Sequence, residues 1–474
     1  MPNGKPNILF IMTDDHAAHA MSCYGSRINQ TPNLDRIAGN GMRIDNCFCT
    51  NSICTPSRAA ILTGTYNHTN GVTTLSTPMD KNKLTFPKLL RRNGYQTAVY
   101  GKWHLGEGRK DDGHKYYPDG FDDWAVVPGQ GLYHNPEFIF ENGRRVVEGY
   151  ATDIITDMSL DFLKKRDTEK PFCLLCHHKA PHRSWEPDAK HADLYEDMEI
   201  PYPETFNDDY SNRASAASAA EMRVADNLYE HDLKVPIPEG LSPEEEKKWK
   251  YQRYIKDYLR CIASVDDNVG RLLDYLDAEG IYDDTIIVYT SDQGFFLGDH
   301  GWYDKRFMYE ESLRMPFLIS YPKEIKAASV SKDMILNIDF AETFLDFAGL
   351  PIPSFMQGRS FRSILNGQTP ADWRKSMYYR YWMHKAHHNV YAHYGLRTHD
   401  YKLIYYYSDA LGTEGSVDES YEPEWELFDL RKDHCEMRSV YNRPEYAHIV
   451  KELKDELHAM QSDLGDDRYC KDVD

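Results

Sequence analysis

Apolar and polar positions alternate along this chain in a pattern that predicts an α/β fold. Up to about residue 370, short apolar runs of strand length are separated by longer stretches with helical periodicity. The clearest runs are Asn7–Met12, Gln96–Tyr100, Pro171–His177, Thr285–Thr290 and Met315–Ser320. Runs with so little polar interruption are typical of strands buried on both faces. We therefore predict a large mixed, mostly parallel sheet between layers of helices.

Polar side chains follow several of these strands near the point where each strand ends. They are Asp14-Asp15, Lys102–His104, His182 and Asp292-Gln293. In open α/β sheets, ligands bind at the carboxyl ends of the strands. We therefore expect these side chains to meet in one active site.

The middle of the chain has a different character. Residues 200–250 are rich in Pro, Ser and Ala and are interpreted as a surface excursion or lid. A long helix is predicted after it, over about 244–278, because Ser-Pro-Glu-Glu-Glu is typical of a helix start.

The last hundred residues predict a second, smaller unit. From about residue 375 the chain becomes aromatic and β-prone, and a closing helix is predicted near 445–462. We therefore predict a catalytic domain over 1–372. A C-terminal α+β subdomain over 373–474, with an antiparallel sheet and a helix, should contribute to the substrate pocket.

Charge and hydropathy exclude several classes of partner. The chain has 474 residues, and 55 Lys and Arg against 75 Asp and Glu give a formal net charge of −20. Nucleic-acid binding depends on clustered positive charge, so no such partner is expected. No run approaches the roughly 18–20 apolar residues that span a bilayer, so no membrane association is expected. The apolar run Ile8–Met12 is short for a signal peptide, which favours a cytoplasmic enzyme, or a periplasmic or secreted one if a leader was removed.

The cysteines point to reduced thiols. There are nine of them, an odd number, and their spacing gives no disulfide framework. Cys173 and Cys176 have the CxxC spacing of a zinc site. Because they lie in an apolar run, we interpret them as part of a buried strand.

Oxygen ligands suggest a different metal. Asp14, Asp15, Asp292 and Gln293 offer three carboxylates and one amide oxygen. These hard ligands favour Ca²⁺, with Mg²⁺ as the alternative, over Zn²⁺. The plain structural alternative is that the aspartates form an exposed turn and a helix cap.

The segment Cys54-Thr55-Pro56-Ser57-Arg58 also has a plain structural interpretation. Thr55 can cap a helix, Pro56 suits its first turn, and Cys54 can be a small buried residue. Arg58, four residues after Cys54, would lie on the same helix face one turn later.

Taken with the AAILTG that follows, this segment resembles the signature C-x-P-S-R-x-x-x-L-T-G of the type I sulfatases, in the alkaline phosphatase superfamily. The resemblance extends over nearly the whole chain, with further matches at Asp14-Asp15, Gly101–His104, Pro181-His182, Ser291–Gly294 and Lys305. It implies an alkaline phosphatase-like fold and hydrolysis of a sulfate monoester.

The resemblance also implies how the chemistry is done. A maturase would convert Cys54 to Cα-formylglycine, whose aldehyde hydrates to a geminal diol. One diol oxygen attacks sulfur and displaces the alcohol, and the other then expels sulfate, which is covalent catalysis with its own release step. Position 54 would also complete the Ca²⁺ shell formed by Asp14, Asp15, Asp292 and Gln293, and the ion would neutralise the sulfuryl oxygens.

Five further residues receive catalytic roles from the same resemblance. Lys102 and Lys305 would bind sulfate oxygens as point charges. Arg58 would bond the formylglycine hydroxyl, and His104 would take its proton when sulfate leaves. His182 would protonate the leaving oxygen, a role that Lys305 could share, and Asp292 is an alternative base for the attacking hydroxyl.

The substrate is predicted from a graded similarity. The run SDQGFFLGDHGWYDKRFMYEESLRMPF resembles bacterial glycosaminoglycan sulfatases, in particular those similar to N-acetylglucosamine-6-sulfatases. We therefore expect a small sulfated saccharide, such as 6-O-sulfated N-acetylglucosamine. Aromatic, Arg and His side chains predicted near the pocket are candidate sugar contacts: Trp185, His300, Trp302, Arg306, His384, His387, His388 and His393.

Two alternatives stay open from the sequence alone. One is a phosphonate or phosphate monoester hydrolase of the same superfamily, because the nucleophile and metal do not separate the two chemistries. The other is a non-catalytic binder of sulfated glycans, although a binder has no need of the nucleophile. The oligomeric state is not predicted.

Overall fold

The computed structural model describes residues 4–107 and 116–466. The outer limits of the two predicted domains, at residues 1 and 474, lie outside the described residues, as does Cys470.

Strands and helices alternate through the first three quarters of the described chain. The strands are β1 Asn7–Thr13, β2 Met42–Phe48, β3 Gln96–Lys102, β4 Asp123–Val127, β5 Glu137–Phe140, β6 Gly143–Val146, β7 Phe172–His177, β8 Thr285–Ser291, β9 Phe296–Leu297, β10 Tyr303–Asp304, β11 Arg314–Met315, β12 Phe317–Ser320, β13 Ser329–Leu336, β14 Ser376–Tyr381, β15 His393–Thr398, β16 Tyr401–Tyr406 and β17 Glu424–Asp429. The α-helices are α1 Pro32–Gly39, α2 Cys54–Thr63, α3 Asn67–Asn70, α4 Phe86–Arg92, α5 Ala151–Lys165, α6 Ser215–Ala219, α7 Val224–Asn227, α8 Glu230–Leu233, α9 Pro243–Ala278, α10 Glu310–Leu313, α11 Asp339–Phe347, α12 Arg362–Leu365 and α13 Ala447–Leu464.

The larger sheet has the predicted mixed character. In the described chain it contains 11 strands in the order β11-β2-β12-β8-β1-β7-β3-β4-β5-β6, with β13 against β2. The five central strands, from β8 to β4, are parallel, and antiparallel pairs lie on both sides of them. Strands β1, β7 and β8 are buried along their whole length because helices cover both faces, which explains their unbroken apolar sequences. The predicted fold class is confirmed.

The C-terminal part forms the predicted antiparallel sheet. Strands β14, β15, β16 and β17 pair in chain order, and α13 packs against this sheet. The division between residues 372 and 373 stays a prediction.

Buried ion pairs join this smaller sheet to the catalytic part. The guanidinium of Arg397, on β15, donates to both carboxylate oxygens of Glu310, at 3.1 and 3.2 Å. The ammonium of Lys402, on β16, lies 3.0 Å from Glu310 and 2.6 Å from Glu436. We call these four side chains the junction network.

The region over residues 200–250 lies at the surface, as predicted, and many of its residues are exposed. Short helices α6, α7 and α8 anchor it to the rest of the protein, and its role as a lid stays a prediction. Ala216, Ala217, Met222, Val224 and Leu228 have no exposed surface. Its irregular sequence reflects frequent turns between these buried anchors.

The search of helices for a membrane span, carried out over the described residues, found none of sufficient length and apolar character.

Candidate active site

Three carboxylates meet where β1 and β8 end side by side. Thr13 and Ser291 are paired in the sheet, so Asp14 and Asp15 leave β1 at the same edge where Asp292 leaves β8. Oxygens of these three buried carboxylates lie within 4.8 Å of one another. The backbone N–H of Asp15 donates to Asp292 Oδ1 at 3.3 Å. We call Asp14, Asp15 and Asp292 the acidic cluster.

The acidic cluster carries crowded negative charge. Burial raises the pKa of Asp15, and the charge of Asp292 raises it further, while Lys305 acts in the opposite direction. A divalent cation among the three carboxylates would relieve this repulsion.

Gln293 supplies the fourth oxygen that the sequence predicted. Its amide nitrogen donates to Asp14 Oδ1 at 3.5 Å and to Asp15 Oδ1. Its amide oxygen Oε1 is buried without a hydrogen-bond partner among the described residues. Three carboxylates and an orphaned amide oxygen fit a hard divalent cation such as Ca²⁺ or Mg²⁺.

Cys54 lies next to the acidic cluster at the start of α2. Its Sγ is 3.4 Å from Asp14 Oδ1, and only 2% of its surface is exposed. Burial raises the pKa of the Cys54 thiol to about 12, with Asp292 and Asp15 adding to it against Lys305. A thiol that stays protonated is a weak nucleophile, so position 54 is well placed for chemistry but poorly activated as cysteine.

Arg58 ties this helix to the ends of two strands. Its Nε donates to Asp292 Oδ2 at 2.9 Å, and its Nη1 donates to the carbonyl of Lys102 at 2.6 Å. Nη2 is buried without a hydrogen-bond partner in the described chain, 3.9 Å from Asp14 Oδ2. One turn of helix therefore places a guanidinium beside Cys54, as the spacing predicted.

Two lysines bind neighbouring carboxylates of the acidic cluster. Lys102 Nζ donates to Asp14 Oδ2 and to the amide oxygen of Gln130. Lys305 Nζ donates to both oxygens of Asp15, at 2.5 and 2.6 Å. Burial holds the pKa of Lys102 well below its usual range, whereas Asp15 raises the pKa of Lys305 against the effect of burial. Both ammonium groups can reach an anion bound between them.

Two histidines complete the group. Burial, then the charge of Lys102, lowers the pKa of both His104 and His182 well below the usual range. In His182, Nδ1 lies 2.6 Å from the carbonyl of Arg183, which can only accept, so Nδ1 carries the proton of the neutral ring. Its Nε2 therefore has a free lone pair, 3.7 Å from Asp15 Oδ2.

His104 is held by its neighbours in an unusual backbone conformation, with φ of +56°. Glu107 Oε1 accepts from the backbone N–H groups of His104 and Gly129, both at 3.1 Å. Thr55 Oγ1, on α2, donates to the carbonyl of His104 at 2.8 Å. These bonds keep the His104 ring next to α2.

Sequence reasoning missed three residues of this site. Glu107 and Gln130 have no motif around them, and only the pairing of β3 with β4 shows that their turns are adjacent. Lys179 is buried, and its Nζ lies 4.6 Å from the ring centre of Tyr133. Burial lowers the pKa of Lys179 to about 8. A lysine within a histidine-rich segment has no sequence feature that separates it from a surface lysine.

Several predicted sugar contacts lie elsewhere. Trp302 is stacked between Tyr210 and Phe307, with ring centroids 5.2 and 4.9 Å away, so both of its faces are covered. Trp185 packs against Tyr254 and Phe295 and has no exposed surface. We correct the prediction for both residues, because their rings fill the core.

Three predicted histidines are also buried in the core. His300 Nδ1 lies 2.8 Å from Asp208 Oδ2, His384 Nδ1 accepts from a backbone N–H, and His393 bonds the backbone on both ring nitrogens. None of the three has exposed surface. Their hydrogen bonds hold loops together, so we withdraw them as sugar contacts.

Arg306 and His388 do lie beside the site, together with Asp304, which the sequence did not single out. Asp304 Oδ1 accepts from Arg306 Nε at 3.1 Å, and its Oδ2 lies 3.2 Å from His388 Nε2. Although burial acts in the opposite direction, Arg306 and His388 hold the pKa of Asp304 well below its usual range. His387, next to this group, is exposed. We call Asp304, Arg306 and His388 the polar trio.

The polar trio adjoins the acidic cluster through Lys305. Asp304 and Arg306 have φ of +82° and +95°, so the backbone turns sharply on both sides of this lysine. The lysine thus points to Asp15 while its two neighbours face the C-terminal sheet. A ligand that lies against Lys305 is within reach of the polar trio.

Family models match most of the chain. The model described as Sulfatase matches residues 6–350. A second model, described as N-sulphoglucosamine sulphohydrolase, C-terminal, matches residues 298–463.

Individual relatives agree with these models. The N-acetylglucosamine-6-O-sulfatase of Bacteroides thetaiotaomicron is 45% identical over 508 aligned positions, which cover 98% of this chain and 87% of that protein. The solved structure of BT4656 in complex with its substrate D-glucosamine-2-N,6-O-disulfate has a TM-score of 0.91 and 44% identity, and the match covers 98% of each chain. A phosphonate monoester hydrolase of Agrobacterium radiobacter has a TM-score of 0.77 at 20% identity, over 97% of this chain and 96% of that one, which shows a shared fold.

Proposed function

Because this chain belongs to the sulfatase family, and is a sulfuric ester hydrolase that acts on carbohydrate sulfate esters, we propose that its substrate is a 6-O-sulfated glucosamine. The observation that carries this proposal is the placement of Cys54, 3.4 Å from the acidic cluster, at an edge where Lys102 and Lys305 also converge. The similarity to a named N-acetylglucosamine-6-O-sulfatase supports the choice of sugar.

Membership of this family implies a Cα-formylglycine at the signature cysteine and a divalent metal. We propose that Cys54 is the modified residue and that the metal is Ca²⁺, held by Asp14, Asp15, Asp292 and Gln293. When formed, the hydrated aldehyde supplies a nucleophile that can also release sulfate, and when bound, the ion neutralises charge on the sulfuryl oxygens.

The chain's own residues bind the sulfate group and place it. Lys102 binds Asp14 and Lys305 binds Asp15, so we propose that a sulfate at the acidic cluster would contact both ammonium groups. Arg58 keeps α2 in register with the strand ends, and its free Nη2 can bond the side chain at position 54. These preorganised charges stabilise negative charge that develops on the sulfuryl oxygens.

Proton transfer is assigned to the two histidines. His182 keeps one ring proton on Nδ1 against a carbonyl, so Nε2 is the free ring nitrogen. Protonated there as the imidazolium, a state that the negative charge of a bound sulfate would favour, it would donate that proton to the leaving sugar oxygen. His104, held against α2 by Thr55 and Glu107, is placed to take the proton from the side chain at position 54.

We propose that the polar trio recognises the sugar. A carboxylate, a guanidinium and an imidazole next to Lys305 offer both acceptors and donors for ring hydroxyls and for a substituent on the 2-position. Asp304 and Arg306 flank Lys305, which contacts the sulfate site. The same short segment would therefore contact both the sulfate group and the sugar.

The test is a set of defined sulfated sugars with free sulfate as the readout. We expect release from N-acetylglucosamine 6-sulfate and from glucosamine 2-N,6-O-disulfate, with much lower kcat/KM for the galactosamine epimer and for 2-O- or 4-O-sulfated sugars. Higher kcat/KM for a phosphonate ester than for any sulfate ester would overturn the proposal.

The modification and the metal need separate readouts. Mass spectrometry of the peptide that contains Cys54, from a host with the maturase, should give the mass of the aldehyde instead of the thiol. Elemental analysis of that protein should give one Ca²⁺ per chain, lost in Asp292→Asn. An active protein whose position 54 is entirely thiol would contradict the proposed nucleophile.

A further inference from the structure

A second group of metal-ligating side chains lies apart from the catalytic centre. Side-chain ligand atoms of Glu204, His434 and Cys435 lie within 4.8 Å of one another. None of these residues belongs to the acidic cluster, the polar trio or the catalytic residues described above. Within residues 4–107 and 116–466, no hydrogen bond or ion pair engages any of the three side chains.

Two of these residues, His434 and Cys435, line a cavity between the catalytic part and the C-terminal part. The cavity has a volume of about 470 Å³ and is lined by residues of both parts, His434 and Cys435 among them. Asp299 and Glu311 line it as well. Oxygen Oε2 of Glu311 is buried without a hydrogen-bond partner in the described chain, with His300 Nε2 3.9 Å away.

The electrostatics at this end of the cavity favour a cation. Glu204 lies within ligand distance of the Cys435 thiol, and the carboxylates of Asp299 and Glu311 line the same cavity. Arginines 314 and 397 also line the cavity, but Arg397 is paired with Glu310 in the junction network. Carboxylates therefore surround the thiol.

The backbone on both sides is already fixed. The turn that carries His434 and Cys435 is closed by a bond from the N–H of Glu436 to the carbonyl of Asp433, at 3.2 Å. On the other side, the hydroxyl of Thr205, next to Glu204, accepts from the N–H of His300 at 2.8 Å. The ligand side chains can thus meet a metal without a change of the fold.

From this geometry we propose that Glu204, His434 and Cys435 form a second metal site, which takes Zn²⁺. A thiolate, an imidazole and a carboxylate are the mixed ligand set that Zn²⁺ prefers, whereas Ca²⁺ requires oxygen ligands alone. Three protein ligands leave a fourth tetrahedral position, which a water can fill. The ion would join the segment around residue 204 to the turn that follows β17.

The site can be tested in the presence of the catalytic metal. Full-length Cys54→Ala protein, saturated with Ca²⁺, has no thiol at the catalytic centre, so a thiolate-to-metal absorption band on addition of Co²⁺ must come from another cysteine. We expect such a band at one equivalent of Co²⁺ and its loss when Zn²⁺ is added. Equilibrium dialysis should give one bound Zn²⁺ per chain.

Matched variants identify the ligands. Cys435→Ser should abolish the band and weaken Zn²⁺ binding by more than about 100-fold, beyond the 10–100-fold effect of partners outside the ligand set. Cys23→Ser, at another partly exposed free cysteine, should retain both. His434→Gln changes an exposed side chain, so it provides a second variant if Cys435→Ser does not fold.

Either of two results would overturn the proposal: no thiolate band in the Cys54→Ala protein, or an undiminished band in both Cys435→Ser and His434→Gln. Because these readouts do not involve turnover, they are independent of the proposed substrate. A further expected result is that Zn²⁺ slows proteolysis of residues 200–213, with no such effect in His434→Gln.

Discussion

The acidic cluster and the junction network are built from similar buried side chains, but their charges are arranged differently. In the junction network, Lys402 lies between Glu310 and Glu436, so positive and negative groups alternate. In the acidic cluster, three carboxylates lie within 4.8 Å of one another, and the cations approach from outside. Alternating charges hold two parts of a protein together, whereas segregated charges create a place for a ligand.

This difference predicts opposite responses to mutation. Changes in and around the acidic cluster should remove activity and spare stability, because the cluster gathers repelling charges. Changes in the junction network should remove stability and spare the chemistry of the molecules that still fold.

The largest effect is expected for Cys54→Ala. Loss of the nucleophile should lower kcat for sulfate release by on the order of 10⁵-fold or more, as in other enzymes that form a covalent intermediate. The free energy of unfolding should change little, because the substitution removes one atom near the acidic cluster. Cys49→Ala, at another buried cysteine close in sequence, is the control and should keep its kcat. Activity above 1% in Cys54→Ala would contradict the assignment.

Removal of the metal comes next. Exhaustive chelation should lower kcat by at least about 10³-fold, since charge on the sulfuryl oxygens would no longer be neutralised. Added Ca²⁺ should restore it. Asp292→Asn should give the same loss without recovery at ordinary Ca²⁺ concentration. If the chelated protein kept full activity in a sulfate-release assay, the acidic cluster would have no catalytic metal.

Lys402→Met should destabilise the protein strongly. It leaves Glu310 and Glu436 buried with one less positive charge between them, and removal of one partner from a buried pair costs about 3–5 kcal/mol. Urea unfolding measures this loss. Lys451→Met, at an exposed pair with Asp455, should cost far less, because water screens the charges of an exposed pair. A similar small cost for Lys402→Met would mean that the junction network does not hold the two parts together.

Arg306→Lys should weaken recognition of the sugar more than binding of the sulfate group. Lysine keeps the charge but loses the planar guanidinium, so KM for a sulfated glucosamine should rise by about 10–100-fold, or about 1.4–2.8 kcal/mol. A small aryl sulfate, which has no sugar hydroxyls, should keep its kcat/KM within a few-fold. Equal losses on both substrates would place Arg306 with the sulfate-binding residues.

The smallest expected effect is a change in how stability depends on pH in the acidic range. Although burial acts against it, Arg397 and Lys402 lower the pKa of Glu310 below its ordinary value of 4.5. A carboxylate with a lowered pKa contributes its full stability above the unfolded pKa and loses it as the pH falls below about 4.5. Melting temperatures measured from pH 7 to pH 3 should therefore fall less steeply in Glu310→Gln. Parallel curves for the two proteins would exclude this contribution.

Much of the catalytic centre could be predicted from the sequence, for a physical reason. Asp14 and Asp292 each follow an apolar strand, and the ends of neighbouring parallel strands lie together. The sequence motifs and the fold therefore predict the same position for the site. The central sheet is predictable on the same basis, because continuous apolar runs require burial on both faces.

The side that we propose faces the sugar could not be predicted as well. Trp302 and Asp304 are two residues apart, yet one is stacked inside the core and the other belongs to the polar trio. Tryptophan often stacks on sugar rings, which made Trp302 a candidate sugar contact. Only the packing of Phe307 and Tyr210 on its two faces shows that its ring is enclosed. Such contacts depend on tertiary structure, and no local pattern reports them.

The burial of Cys54 has a consequence for the order of events during biosynthesis. Only 2% of this side chain is exposed once β8 has paired with β1, and β8 is made more than two hundred residues later. An enzyme that oxidises the thiol needs direct access to it, which the finished fold denies. The proposed oxidation would therefore have to take place early, on the nascent polypeptide, and a molecule that folds before it would stay inactive.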